Sequence, residues 1–124
     1  MIPFLRRKPR VLILDDDLSM QKLVSTLLKR DGYRVDVVSS GRKAIEAIGR
    51  QTYAAILLDL MMPTEGGMTV IRHLREKNPE MLQRVIVLTA TPASVVNKMA
   101  SDVFAIVQKP FQAEELSAAV KRLV

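Results

Sequence analysis

The chain has 124 residues, enough for one domain with one good core, and 48% are hydrophobic, which excludes a disordered chain. It has no cysteine, which excludes a disulfide framework, thiol catalysis and a cysteine metal site. The net charge is +6; four of the cations, Arg6, Arg7, Lys8 and Arg10, fall in the first ten positions, and without them the balance is +2.

Residues 1–9 therefore read as a basic arm ahead of a domain at 10–124. Such an arm is expected to be a solvated tail, the alternative being contact with nucleic acid or anionic lipid. No apolar run approaches the ~18 residues of a membrane span. The opening Met1-Ile2-Pro3-Phe4-Leu5-Arg6-Arg7-Lys8 puts charge after apolar residues, the reverse of a secretory signal. The expected location is the cytoplasm.

Val11-Leu12-Ile13-Leu14 is a continuous apolar run and reads as a strand buried on both faces, ending in Asp15-Asp16-Asp17. From Ser19 to Arg30, Met20, Leu23, Val24, Leu27 and Leu28 recur at helical spacing, with Asp17 or a neighbour as cap and Asp31-Gly32 as stop. Tyr33–Val38 is a second strand, and Arg42–Gly49 a short helix with Ala44, Ile45, Ala47 and Ile48 inward. Tyr53–Asp59 is the third strand. A helix over Met68–Lys77 follows, burying Met68, Ile71 and Leu74, and Asn78-Pro79 ends it. Val85–Leu88 is the fourth strand, ending at Thr89-Ala90, and Pro92 opens a helix to about Ala100. Phe104–Val107 is the fifth strand. Lys109-Pro110 follows, and Gln112–Leu123 closes as a helix with Leu116, Ala119, Val120 and Leu123 inward. No repeat or linker interrupts this order, and the chain is expected to end with this helix, without room for an output domain, either as a stand-alone protein or as a piece cut from a longer one.

Five alternations of buried strand and helix predict an α/β three-layer sandwich around a parallel sheet. Right-handed crossovers bring all strand ends to one edge, where ligands bind in open sheets. Asp59 ends the run Ile56-Leu57-Leu58 and Pro63 follows, so its carboxylate leaves the sheet there as a metal ligand, a nucleophile or a helix cap. Asp15, Asp16 and Asp17, then Thr89, then Lys109 join it at the same edge. Clustered carboxylates repel one another and resist desolvation, and Lys109 supplies only one positive charge. The remaining negative charge suits Mg²⁺, which prefers carboxylate, water and phosphate oxygens. A hydroxyl and an ammonium beside it complete the parts of a phosphoryl-transfer site.

Val11-Leu12-Ile13-Leu14-Asp15-Asp16-Asp17, Leu58-Asp59-Leu60-Met61-Met62-Pro63, Leu88-Thr89-Ala90 and Gln108-Lys109-Pro110-Phe111, in this order on successive strand ends, carry a resemblance. From Arg10 to Val124 the sequence resembles the receiver domain of two-component response regulators, the fold of the chemotaxis receiver. The resemblance implies a flavodoxin-like (βα)5 fold with strand order 2-1-3-4-5. It implies that Asp59 takes a phosphoryl group from a phosphohistidine on a sensor histidine kinase or histidine phosphotransfer protein. Asp15, Asp16, Asp59 and the backbone carbonyl of Met61 would hold Mg²⁺. Thr89 would bond a phosphoryl oxygen, Lys109 would pair with Asp59 and then the phosphoryl group, and the Lys109–Pro110 bond would be cis. The outcome would be switched binding to a downstream target protein, with no substrate turnover beyond its own phosphorylation and dephosphorylation, and a homodimer left open.

Asp17 reads as a helix cap or second-layer group, and His73 as a packing or surface residue away from this edge. Two features depart from the family. Ile106 stands where many receivers carry Tyr or Phe, and Phe104, two residues earlier, is expected on the same face. The usual Gly-Ala turn before the fifth strand is replaced by Met99-Ala100-Ser101-Asp102-Val103-Phe104, after a short fourth helix. These predict an altered output face. The alternative function is a phosphate-independent interaction module of the same fold. Nucleic-acid binding is not expected as the main role, since the basic residues spread over several helices. A flavin or nucleotide enzyme would need a Gly-rich loop where Asp15-Asp16-Asp17 stands.

Overall fold

The computed structural model describes residues 8–60, 62 and 65–124. Five strands, β1 (Arg10–Leu14), β2 (Arg34–Val38), β3 (Ala55–Asp59), β4 (Val85–Thr89) and β5 (Ala105–Gln108), form one parallel sheet of order β2-β1-β3-β4-β5. Helices α1 (Leu18–Arg30), α2 (Gly41–Arg50), α3 (Gly67–Lys77), α4 (Ala93–Met99) and α5 (Ala113–Lys121) cover both faces. This is the doubly wound, flavodoxin-like arrangement expected. Among the described residues, no helix is long and apolar enough to cross a membrane.

Strand alternation divides the core in two. Leu12, Leu14, Ile56, Leu58, Val85 and Val87 face α2, α3 and α4, meeting Ala44, Ala47, Val70, Ile71, Leu74 and Val96. Val11, Ile13, Ala55, Leu57, Ile86 and Leu88 face α1 and α5, meeting Val24, Leu27, Leu28, Leu116 and Val120. The central strands are buried on both sides, which is why they read as unbroken apolar runs. β2 is an edge strand and only half-buried. The Asp17 side chain caps α1 by accepting from Ser19 N–H at 2.9 Å and Met20 N–H at 3.3 Å. Gly32 takes φ of +100° just past that helix, the left-handed conformation a stop requires.

Several expectations change in detail. A 3-10 helix over Pro79–Arg84 connects α3 to β4, a stretch with no apolar period in which only Leu82 is buried. Leu23 is exposed, so the inner stripe of α1 is narrower than its leucines suggested; Val70 joins the α3 stripe instead of Met68, which is only partly buried. β5 starts at Ala105, not Phe104. Phe104 packs with the α1/α5 core, while Ile106 packs with the α2/α3/α4 core. The two are on opposite faces, which corrects the shared-face expectation. Alternation applies only inside a strand, and Phe104 lies in the bend before one. That bend is tied down from α3. Arg75 donates to both Asp102 oxygens at 2.6 and 2.8 Å and to the Met99 carbonyl at 2.5 Å, and the guanidinium holds Asp102 below the usual carboxylate range.

Gly49 offers a test of the helix account. It lies inside α2, and a Cβ there would meet no atom within 4 Å. Gly49→Ala is expected to stabilise the protein by about 0.5–1 kcal/mol by restricting the unfolded chain. A melting temperature raised by about 3 °C would show it.

Candidate phosphoryl-transfer site

The order β2-β1-β3 means the chain turns outward after β1 and crosses to the other side for β3. Their carboxyl ends therefore open a crevice at the switch point. Asp15 follows β1 and Asp59 ends β3, so both carboxylates sit in it, 1% and 4% exposed. Asp16, one residue on, is exposed at the rim. One ligand oxygen from each of Asp15, Asp16 and Asp59 lies within 4.8 Å of the others.

Lys109, just past β5, reaches across. Its Nζ is 3.2 Å from Asp15 Oδ2 and 3.4 Å from Asp59 Oδ2. Its peptide bond to Pro110 is cis. Asp15 Oδ1 also accepts from the Asp17 N–H at 2.9 Å. Even so, burial pushes the Asp15 carboxyl above its ordinary value, with Asp59 adding to the rise; the Asp17 N–H and Lys109 oppose it without prevailing. The site is held short of positive charge.

Thr89 ends β4, fully buried, on the face of the sheet shared with Val85 and Val87. Its Oγ1 accepts from the Thr91 N–H and bonds the Thr91 hydroxyl, both at 3.1 Å. Gln108 Nε2 donates to the Thr91 carbonyl, fixing that turn. Gln21 Nε2 donates to the Asp15 carbonyl at 2.5 Å from the first turn of α1. Neither Thr91 nor Gln21 stood out in the sequence. A hydroxyl two residues after a strand-end threonine is the pattern of a local side-chain turn and could have drawn notice.

Asp15, Asp16, Asp59 and Lys109 are thus brought together, and Thr89 lies on the neighbouring strand end. Met61, expected to offer a backbone carbonyl, lies outside the described residues. Asp17 is turned to the helix as its cap, and His73 is on α3, half-buried.

A family model for the response regulator receiver domain matches residues 11–121. The chain belongs to this family. It is 35% identical to the sensor histidine kinase TmoS of Ectopseudomonas mendocina over 119 residues, 94% of this chain and 12% of that protein. It is 32% identical to the transcriptional regulatory protein DltR of Streptococcus agalactiae over 114 residues, 90% of this chain and 50% of that one. The receiver therefore spans half or less of these relatives. Among solved structures, the receiver domain of a sensor histidine kinase from Pseudomonas aeruginosa matches with a TM-score of 0.83 at 27% identity, covering 94% of this chain and 97% of that one. That structure has a magnesium ion coordinated in its active-site cleft. The Thermotoga maritima response regulator TrrA, in complex with Mg(2+)-BeF, matches with a TM-score of 0.83 at 28% identity, covering 94% and 99%.

Proposed function

We propose that this receiver is a phosphoacceptor in a two-component phosphorelay, with Asp59 as the accepting residue. The observation that carries the reading is Lys109 Nζ within 3.4 Å of both buried carboxylates, Asp15 and Asp59. A cation held there is placed to neutralise a phosphoryl oxygen on Asp59.

The donor set fits Mg²⁺. Three carboxylates face one ammonium, all the ligands are hard oxygens, and Asp16 at the rim leaves access for water and phosphate. Asp15, Asp16 and Asp59 would hold the ion, which would supply positive charge to the phosphoryl oxygens. In the transfer, an Asp59 oxygen attacks the phosphorus of a phosphohistidine. The P–N bond breaks, its electron pair stays on the imidazole nitrogen, and that nitrogen takes up a proton. The product is an acyl phosphate on Asp59. Thr89 donates its hydroxyl to a phosphoryl oxygen after leaving its turn with Thr91. No other turnover is part of the reading.

The phosphoryl donor is a sensor histidine kinase or a histidine phosphotransfer protein, and the reader is a downstream protein. Matches to a sensor kinase and to a transcriptional regulatory protein support a histidine upstream and an output downstream. Output runs through a face other than a threonine–aromatic pair. In support, Ile106 shares the Thr89 face while Phe104 is on the opposite one, against Arg122 at 4.9 Å.

The test is incubation with a small-molecule phosphodonor and Mg²⁺, read by intact mass. A gain of one phosphoryl group is expected, absent in Asp59→Asn and absent with Mg²⁺ chelated. No gain by the folded protein would favour the phosphate-independent interaction module.

A further inference from the structure

The opposite edge of the sheet has the opposite charge. Arg10 and Arg34 open β1 and β2, Tyr53 and Ala54 precede β3, and Arg84 precedes β4. With Lys8 and Leu123 they line a pocket of about 370 Å³, and among the described residues no carboxylate is in that lining. The sequence placed part of the excess of cations in its first ten residues. The fold sets Lys8 and Arg10 beside two arginines from distant positions.

These cations are not loose. Arg34 Nε donates to the Lys8 carbonyl at 3.1 Å, and Arg84 Nη1 to the Tyr53 carbonyl at 3.0 Å. Arg10 Nη1 donates to Asp36 Oδ1 at 3.0 Å, and the Tyr53 hydroxyl donates to Asp36 Oδ2 at 2.7 Å. Each guanidinium is thus fixed through one nitrogen. A guanidinium has five N–H donors, so each retains a fork that matches two phosphate oxygens. Holding the forks in advance removes part of the entropy cost of binding. Among the described residues, Asp36 offsets one of the four charges. A single phosphate carries about −1.5 to −2, so two or more adjacent phosphates are needed to balance the rest.

We propose that the amino-terminal edge of the sheet, lined by Lys8, Arg10, Arg34 and Arg84, is a second anion site, for a group of two or more adjacent phosphates. The group is either a free polyphosphate ester or a lipid headgroup with clustered phosphates. The site is on the far side of the sheet from Asp59, and its occupant does not take part in phosphoryl transfer.

The probe is inorganic tripolyphosphate, titrated calorimetrically into the full chain with EDTA present so that the acidic edge holds no divalent ion. Saturable one-to-one binding is expected. The pair Lys8→Gln and Arg34→Gln is expected to weaken it by about tenfold or more, because two charge-assisted contacts are lost. Arg34→Lys with Arg84→Lys, which keeps the charge, is also expected to weaken it, because the forks are lost. The same charge removed at Lys22 and Lys98, on other surfaces, is expected to change it by less than about twofold. Far-UV circular dichroism and a thermal melt confirm that each variant is folded. No saturable binding, or equal losses from the two neutralised pairs, would overturn the proposal. So would tighter binding to duplex DNA than to tripolyphosphate, which would make this a backbone-tracking surface. Vesicles with phosphatidylinositol bisphosphate, against phosphatidylserine vesicles of equal charge, separate the sources. Selective binding to the former assigns a lipid headgroup, and binding to soluble tripolyphosphate alone assigns a free ligand.

Discussion

Lys109→Met is expected to destabilise the protein by about 3–5 kcal/mol at pH 7 in EDTA, the usual cost of removing one partner from a buried ion pair. Methionine keeps most of the stem volume, so the loss is of charge more than of packing. Asp15 and Asp59, 1% and 4% exposed, then lose the ammonium that lies within 3.4 Å of both. The pH dependence follows from Asp15, whose folded pKa already lies above its ordinary 3.8 because of burial. As pH rises past that value the unfolded chain gives up the Asp15 proton first. The folded chain then binds more protons, so stability falls with rising pH until the folded pKa is passed. Removing Lys109 takes away a positive charge that opposes the rise, lifts that folded pKa further and widens the window. Denaturant melts at pH 5 and pH 8 should therefore show a larger gap between variant and wild type at pH 8. Mg²⁺ should recover part of the loss, since it replaces the missing charge. Phosphoryl gain from a small donor should slow by about 10²–10³-fold, the scale seen on removing one donor to a developing anion. An unchanged melt at both pH values would mean that the ammonium does not compensate these carboxylates.

Asp15, Asp59, Thr89 and Lys109 were legible because each stands at the end of a short apolar run in a chain that alternates strand and helix. Parallel connections put such ends on one edge, so residues remote in sequence could be gathered without coordinates. Asp17 as cap was legible for a local reason, its place ahead of the helical period. Phe104 was not, because alternation needs to know where the strand begins, and the bend held by Arg75 and Asp102 shifts that start by one residue. Gln21 and the bond from Gln108 to Thr91 were missed because these contacts depend on how elements meet. The basic pocket was missed for the same reason: Arg34 and Arg84 look like isolated surface cations until β2 and the 3-10 helix are set beside Lys8 and Arg10.

Gly67→Ala is expected to reach the site through the backbone. Gly67 is the first residue of α3, and its φ is not positive, so what it supplies is space. A Cβ there would lie 2.7 Å from the Asp59 carbonyl oxygen and 2.8 Å from Leu60 Cδ2. The leucine end can rotate away; the carbonyl cannot, because it belongs to the buried strand β3, paired with β1 and β4. The helix start or the strand end must therefore shift, at a cost of about 2–3 kcal/mol for strain of this kind. The strand end carries the Asp59 side chain, and a displacement of about 1 Å at a reacting group can slow a reaction by about 10²-fold. The variant should thus lose both stability and rate of phosphoryl gain, although no side chain of the site has changed. Gly49→Ala, in α2 with open space around it, should gain stability and leave the rate alone. If the two alanine variants behave alike, glycine at 67 serves only helix propensity, and the close approach of α3 to β3 is not what positions Asp59. If they diverge as expected, the spacing between the helix start and the strand end sets the geometry of the acceptor.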